Sequence, residues 1–291
     1  MPAPPARARE NAPRASVQRP TAPRPSTGPT PRNARRLARA LLPWVVPAAL
    51  LVIWQTGSSS GLIPPATLPA LSDVIDAGTY LAETGDLQRN VLISLRRIAI
   101  GFALGATAGL LLGFAVGMSA IAEGLFDRSL QMVRTIPHLA LVPLMIAWFG
   151  IGELPKVLLV ALGTLFPVYL NTVNGIRGVD PRLIELGRSY GLGPLGVIRR
   201  VVVPGALPSI LTGIRYALGV AWLTLVVAET IASRDGIGFL AQNAREQLRT
   251  DQIVLAILLY ALAGFLADLL VRLVERFALP WHPHFRRGAA T

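Results

Sequence analysis

GVDPRLIELGRSYGLGPLGVIRRVVVPGALPSI, residues 178–210, is the stretch whose reading decides the fold. It lies between two uncharged apolar runs, 157–176 and 206–228. Asp180 followed by Pro181 is a helix start: the carboxylate accepts backbone N–H bonds, and proline suits the first helical position. The helix is expected to run through Leu183, Ile184, Leu186 and Tyr190 and to stop at Gly191, a natural residue for the turn after a helix. Gly193 and Pro194 start a second short helix, which Pro204 is expected to end or kink. Leu183, Leu186 and Tyr190 fall on one face, with Arg182 and Glu185 beside them. A helix–turn–helix lying at a membrane surface is the reading.

Outward from this segment the chain is a series of apolar runs. Besides the two already named they are 41–56, 98–122, 136–151 (longer if its helix begins near Leu130) and 253–267, the last continuing as helix to Phe277. Each is long enough at 1.5 Å per residue to cross or nearly cross a hydrocarbon core. The fold class expected is therefore all-α, a polytopic membrane protein with six transmembrane helices. Composition agrees. Of 291 residues 52% are apolar and 15% charged, and mean hydropathy is +0.52. A soluble domain carries about 25% charged residues. There is no cysteine, which excludes a disulfide framework and a zinc–thiolate site.

The formal charge is +12. Nine arginines lie within the first 39 residues, against the single acid Glu10. Residues 1–36 are rich in proline and alanine and are read as a disordered basic tail. An apolar span follows immediately, so the tail is read as cytoplasmic and close to anionic lipid rather than as a nucleic-acid arm. With six spans and the N-terminus inside, 20 basic residues fall on inner segments and 7 on outer ones. This orientation places both termini in the cytoplasm. An uncleaved first span is expected, since residues 55–58 make a poor signal-peptidase site.

Within the second run Gly101, Gly105, Gly109, Gly113 and Gly117 recur every fourth residue. Small residues at this spacing let another backbone approach closely in lipid. Charges within or at the ends of the runs are few. Arg215 lies two to three turns into the fifth run. Asp268 and Arg272 can pair as i, i+4 neighbours. Glu229 falls near the outer end of the fifth run, within reach of water, and is read as structural or gating.

These features resemble the permease subunits of bacterial binding-protein-dependent ABC importers. Their cytoplasmic loop carries E-A-A, three residues, G, nine residues, I, one residue, L-P. Here Glu185, Leu186 and Gly187 are followed by Gly191, then by Val201, Val203 and Pro204. Glu, Gly and Pro match in identity and spacing, whereas both alanines and the Ile and Leu positions are replaced. The resemblance spans roughly residues 40–285. The stretch IPHLALVPLMIAWFGIGELPK, residues 136–156, and WLTLVVAETI, residues 222–231, are similar to the sulfonate, taurine and nitrate permeases. PGALPSILTGIRYALG, residues 204–219, and GIGFLAQNAREQLRTD, residues 236–251, are most similar to the aliphatic sulfonate subfamily.

The resemblance implies a type I importer permease fold in the bacterial inner membrane. It divides the chain into a tail (1–36), a first span with its periplasmic loop (37–90), a permease domain (91–277) with a coupling loop (180–204), and a C-terminal tail (278–291). Asp180, Arg182, Glu185, Leu186, Gly187, Gly191 and Pro204 would dock and hold the coupling helix on a separate ATPase. The implied partners are a second permease copy, two ATPase subunits and a periplasmic solute-binding protein, besides membrane lipid. Nucleic acid is not among them.

An anion favours Arg, Asn, hydroxyls and helix N-termini over acids. The translocation-path candidates are therefore Thr164, Asn171, Arg215, Tyr216 and Thr224, with no tight site expected because the binding protein sets specificity. His138, after Pro137, is a further path residue or a helix-kinking pair. His282 and His284 are read as interfacial. No metal site is expected. The one lysine, Lys156, stands between Pro155 and Val157, so no phosphate-binding G-x-x-x-x-G-K-[ST] loop exists. ATP and its Mg are thus assigned to the partner ATPase, and no cofactor to this chain. H-E-x-x-H and G-x-S-x-G are also absent, against a membrane enzyme. An ion-coupled secondary transporter would show internal repeats and midplane charged sites, neither of which is evident.

Overall fold

The computed structural model describes residues 32–279. Most of the tail 1–36, and His282 and His284, lie outside the described residues. Two units are distinguished, Met1–Leu50 and Leu51–Thr291. The helix α1 (Arg32–Ser59) covers the first expected span and begins within the last residues assigned to the tail. Trp54 Nε1 donates to the Pro69 carbonyl at 2.9 Å. No strand occurs among the described residues.

Among its described residues the second unit is built of helices joined by short loops. The helices are α2 (Leu71–Glu83), α3 (Asp86–Met118), the single turn α4 (Ala120–Ala122), α5 (Arg128–Arg134), α6 (Val142–Phe149), α7 (Glu153–Arg177), α8 (Pro181–Ser189), α9 (Pro194–Val197), α10 (Val203–Ala232), α11 (Ile237–Glu246) and α12 (Thr250–Ala278). Among the described residues four helical runs are long and apolar enough to cross a membrane: α3, α7, the continuous run Pro194–Ile231, and α12. A fifth is broken. Ala120–Arg134 and His138–Phe149 meet at 78°. Pro137 lacks an N–H and disfavours helical geometry in Ile136, which accounts for the break.

The glycine row explains the central packing. Glycines 101, 105, 109, 113 and 117 of α3 lie against Val160, Thr164, Val168, Thr172 and Ile176 of α7. Both rows advance by four, so the two helices run parallel with their backbones close. A Cβ at Gly105 would stand 2.0 Å from Thr164 Oγ1 and 2.1 Å from the Ala161 carbonyl oxygen. A repeat longer than 3.6 residues favours a right-handed wrap of the pair. On the other side of α7, α10 packs antiparallel: Gly175 meets Ala206 and Ser209, and Gly213 meets Asn171 and Pro167.

Two boundaries differ from the expectation. The second span starts at Asp86, twelve residues before the uncharged run, so Arg89, Arg96 and Arg97 are helical and not in a loop. Pro204 does not end the second loop helix: α9 passes through a π-turn, Ile198–Val202, into α10 without a break. The wider turn just before Pro204 accommodates its missing N–H.

Candidate functional site

Three sets of residues stand out, and the first two join positions that the chain holds far apart. The first is a cavity of about 300 Å³ at the break of the bent span. Its walls come from α5 and the break (Arg134, Ile136, His138), from α7 (Leu162, Gly163, Phe166, Pro167, Leu170, Asn171) and from α10 (Tyr216, Val220). His138 Nε2 lies 2.9 Å from Thr224 Oγ1, and that hydroxyl also donates to the Val220 carbonyl at 2.7 Å. Gly163 makes room for the pair, since a Cβ there would stand 3.0 Å from Thr224 Oγ1 and 3.2 Å from His138 Nε2. Asn171 Nδ2 donates to the Pro167 carbonyl at 2.8 Å.

Of the path candidates, Asn171 and Tyr216 line this cavity, and Thr224 stands behind it holding His138. Thr164 does not reach it. It is fully buried against Gly105 and donates to the Val160 carbonyl at 2.9 Å. Arg215 also lies elsewhere, paired with Glu275 and, at 3.6 Å, with Asp268 of α12. Asp268 takes Arg272 Nε as well, at 2.7 Å, the i, i+4 pair read from the sequence. Arg134, at the end of α5, also lines the cavity. Its neighbours Pro137 and His138 were the available signal.

The second set is a buried charge cluster, where α3, α7 and α12 begin and α10 ends. Arg97 is 1% exposed and bonds to three carboxylates: Glu153 (Nη2 to Oε1 at 2.5 Å), Glu229 (Nη1 to Oε1 at 2.7 Å) and Asp235. Glu229 is also 1% exposed, so the expectation that it reaches water is corrected. Its carboxylate accepts from Ser94 Oγ at 2.8 Å, from the Gly238 N–H at 2.9 Å and from Tyr260 Oη at 3.1 Å. Gly236 N–H donates to Asn90 Oδ1 at 2.7 Å, and Ile237 N–H to Ser94 Oγ at 2.9 Å. The start of α11 is thus capped by side chains of α3 and by Glu229, whose charge suits a helix N-terminus. The sequence offered no local signal for this cluster, because Arg97 and Glu229 are 132 positions apart.

The third set is α8, at the opposite end of the bundle. Asp180 Oδ1 accepts the Arg182 N–H at 2.9 Å. After the helix Gly191 takes φ +79°, and Leu192 N–H returns to the Gly187 carbonyl at 3.1 Å. Ile184, Leu192 and Val201 pack on a core of Ile176, Val179, Val197, Val202, Ala206 and Ile210. Gly187 is buried beneath, against Leu192 and Val201. The other face is bare: Leu183 is 51% exposed, Leu186 52% and Tyr190 80%. Arg182 and Glu185 are exposed beside them. A short helix capped at both ends thus packs on one side and leaves an apolar face uncovered on the other.

Known proteins share this architecture. A crystal structure of an amino acid ABC transporter with histidines superposes with a TM-score of 0.56, covering 68% of this chain and 96% of that one, at 19% identity. The chain is 50% identical over 249 residues to a protein of Escherichia coli (strain K12) that carries the name aliphatic sulfonates transport permease protein SsuC. That match covers 86% of this chain and 95% of the relative. Identity to the taurine transport system permease protein TauC of the same organism is 38% over 240 residues, covering 81% and 87%. Residues 105–279 match the model of the binding-protein-dependent transport system inner membrane component. With that match over more than half its length, a bundle built on the α3–α7–α10 core and a half-identical permease relative, the chain belongs to the family of binding-protein-dependent transport system inner membrane components.

Proposed function

We propose that this chain is the permease subunit of an ABC importer that passes an aliphatic sulfonate across the inner membrane. The observation that carries the substrate is the 50% identity to the sulfonate permease along 95% of its length, against 38% to the taurine permease. Six spans, α1 counted as the first, put both termini in the cytoplasm. The Arg97–Glu229 cluster then faces the periplasm and α8 the cytoplasm. Two copies of the chain, two ATPase subunits and a periplasmic solute-binding protein complete the importer, and ATP with its Mg binds on the ATPases.

The uncovered face of α8 supports the coupling role. Leu183, Leu186 and Tyr190 offer apolar area to a groove, and burying the exposed half of each leucine is worth about 1 kcal/mol. Motion of the ATPase passes into α7 and α10 because Ile184, Leu192 and Val201 key α8 onto their ends. Glu229, buried and capping α11, ties α3, α10 and α12 together at the periplasmic side, where it would hold or release the outer gate.

Replacing Leu186 by aspartate is expected to reduce co-purification of the ATPase at least tenfold while leaving the thermal unfolding of the permease within a degree or two. The side chain is 52% exposed, so a lost fold would count against this assignment. Growth with an alkanesulfonate as sole sulfur source is expected to depend on the gene. Growth on taurine alone, with none on alkanesulfonates, would reassign the substrate.

A further inference from the structure

We propose that the cavity at the break of the bent span is a passage site selective for an anion with an apolar tail, with Arg134 as the partner of the anionic headgroup. The proposal rests on the reading of the chain as an anion permease and adds a residue-level basis for its selectivity.

The charge inventory of the walls leads to it. Among the described residues Arg134 is the one formally charged residue lining the cavity, and no carboxylate lines it. An anion inside a bundle is strongly disfavoured unless it is paired. A guanidinium can present two parallel N–H donors to two oxygens of a sulfonate, as it does to a carboxylate or phosphate. Arg134 is available for this. It takes part in no ion pair among the described residues, and its side chain is exposed. Arg215, by contrast, is already held by Glu275 and Asp268. An arginine without a carboxylate partner at the break of a membrane span is a functional residue by default.

The remaining walls describe the rest of the ligand. Leu162, Phe166, Leu170 and Val220 give an apolar surface facing the cavity. His138 closes one side and is held in place by Thr224, with Gly163 admitting the pair. A straight alkyl chain loses water favourably on such a surface. A chain ending in an ammonium group finds no carboxylate there and must bury an unpaired cation. The cavity therefore favours an alkanesulfonate over an aminoalkanesulfonate of the same length. An inorganic anion gains only the Arg134 contact.

The test uses the complete permease–ATPase complex in lipid nanodiscs, without binding protein. Saturation-transfer NMR is recorded with butanesulfonate and with taurine as probes. Butanesulfonate is expected to give a signal in the wild type that falls at least fivefold in Arg134→Gln and returns in Arg134→Lys, while taurine gives at most a fifth of it. In proteoliposomes with saturating loaded binding protein, Arg134→Gln is expected to lower the maximal import rate about tenfold. The half-saturating concentration of binding protein and the basal ATPase rate should not change. An undiminished butanesulfonate signal and import rate in Arg134→Gln would overturn the site, and equal taurine and butanesulfonate signals would overturn its selectivity. Failure of the wild type to import any alkanesulfonate would instead overturn the substrate reading. Arg134→Gln is then scored on the anion that the wild type does carry, where an unchanged rate sinks the site and a tenfold loss sustains it.

Discussion

Replacing Arg97 by methionine lowers the stability of the folded chain by about 3–5 kcal/mol, the range for removing one partner of a buried ion pair. Methionine keeps most of the length and fills most of the volume, so the loss is electrostatic. What remains is Glu229, 1% exposed, with Ser94, Gly238 and Tyr260 still donating to it and no counter-charge. The Glu153 arm contributes little, because that side chain is 61% exposed and its charge is screened. Thermal unfolding of the detergent-solubilised protein, followed by tryptophan fluorescence, measures the effect. Adding Glu229→Gln to the methionine variant is expected to recover part of the loss, since the neutral amide keeps hydrogen bonds without a buried charge. Two losses that simply add would show that Arg97 and Glu229 do not act as a pair.

Gly105→Ala is expected to cost about 3 kcal/mol, the upper end for overpacking, although it adds one methyl group to an apolar helix. The new Cβ would meet the Ala161 carbonyl oxygen at 2.1 Å and Thr164 Oγ1 at 2.0 Å. The first is backbone, so relief requires α3 and α7 to separate along much of their length. Gly105→Leu should leave no recoverable folded protein. Gly264→Ala in α12 is the control: nothing lies within 4 Å of its would-be Cβ, and alanine favours a helix by about 1 kcal/mol over glycine. Stability equal in the Gly105→Ala and Gly264→Ala proteins would refute the close approach.

Much of the architecture is legible in the chain because its determinants are local. Apolar runs long enough to span a bilayer, the Asp180–Pro181 start and the Gly191 stop each act within a few residues, and the structure repeats them with shifted ends. The shifts have causes. Arg97 lies beyond the uncharged run, yet partners from α7, from α10 and from the loop at Asp235 let it be buried within a helix. Pro204 reads as a break in sequence, but a π-turn ahead of it carries the helix on.

The site residues divide in the same way. The face of α8 could be read from helical spacing alone, because one helix presents it. The cavity could not, since Arg134, Asn171 and Tyr216 come from three separate helices. Thr164 and Arg215 belong to the same chemical types as the cavity residues, but the rotation of α7 and α10 turns one against Gly105 and the other toward α12. The sequence by itself determined which segments are helical, which are apolar, and that α3 would carry a small-residue face, because these depend on a single chain's periodicity. Only the tertiary structure decided that Glu229 is paired with Arg97, that Arg215 is already paired, and that Arg134 faces a cavity lined by no acid among the described residues. Those outcomes depend on which side chains meet across helices, 132 residues apart for Arg97 and Glu229 and 60 for Arg215 and Glu275, or across a broken span, and no spacing along the chain encodes that.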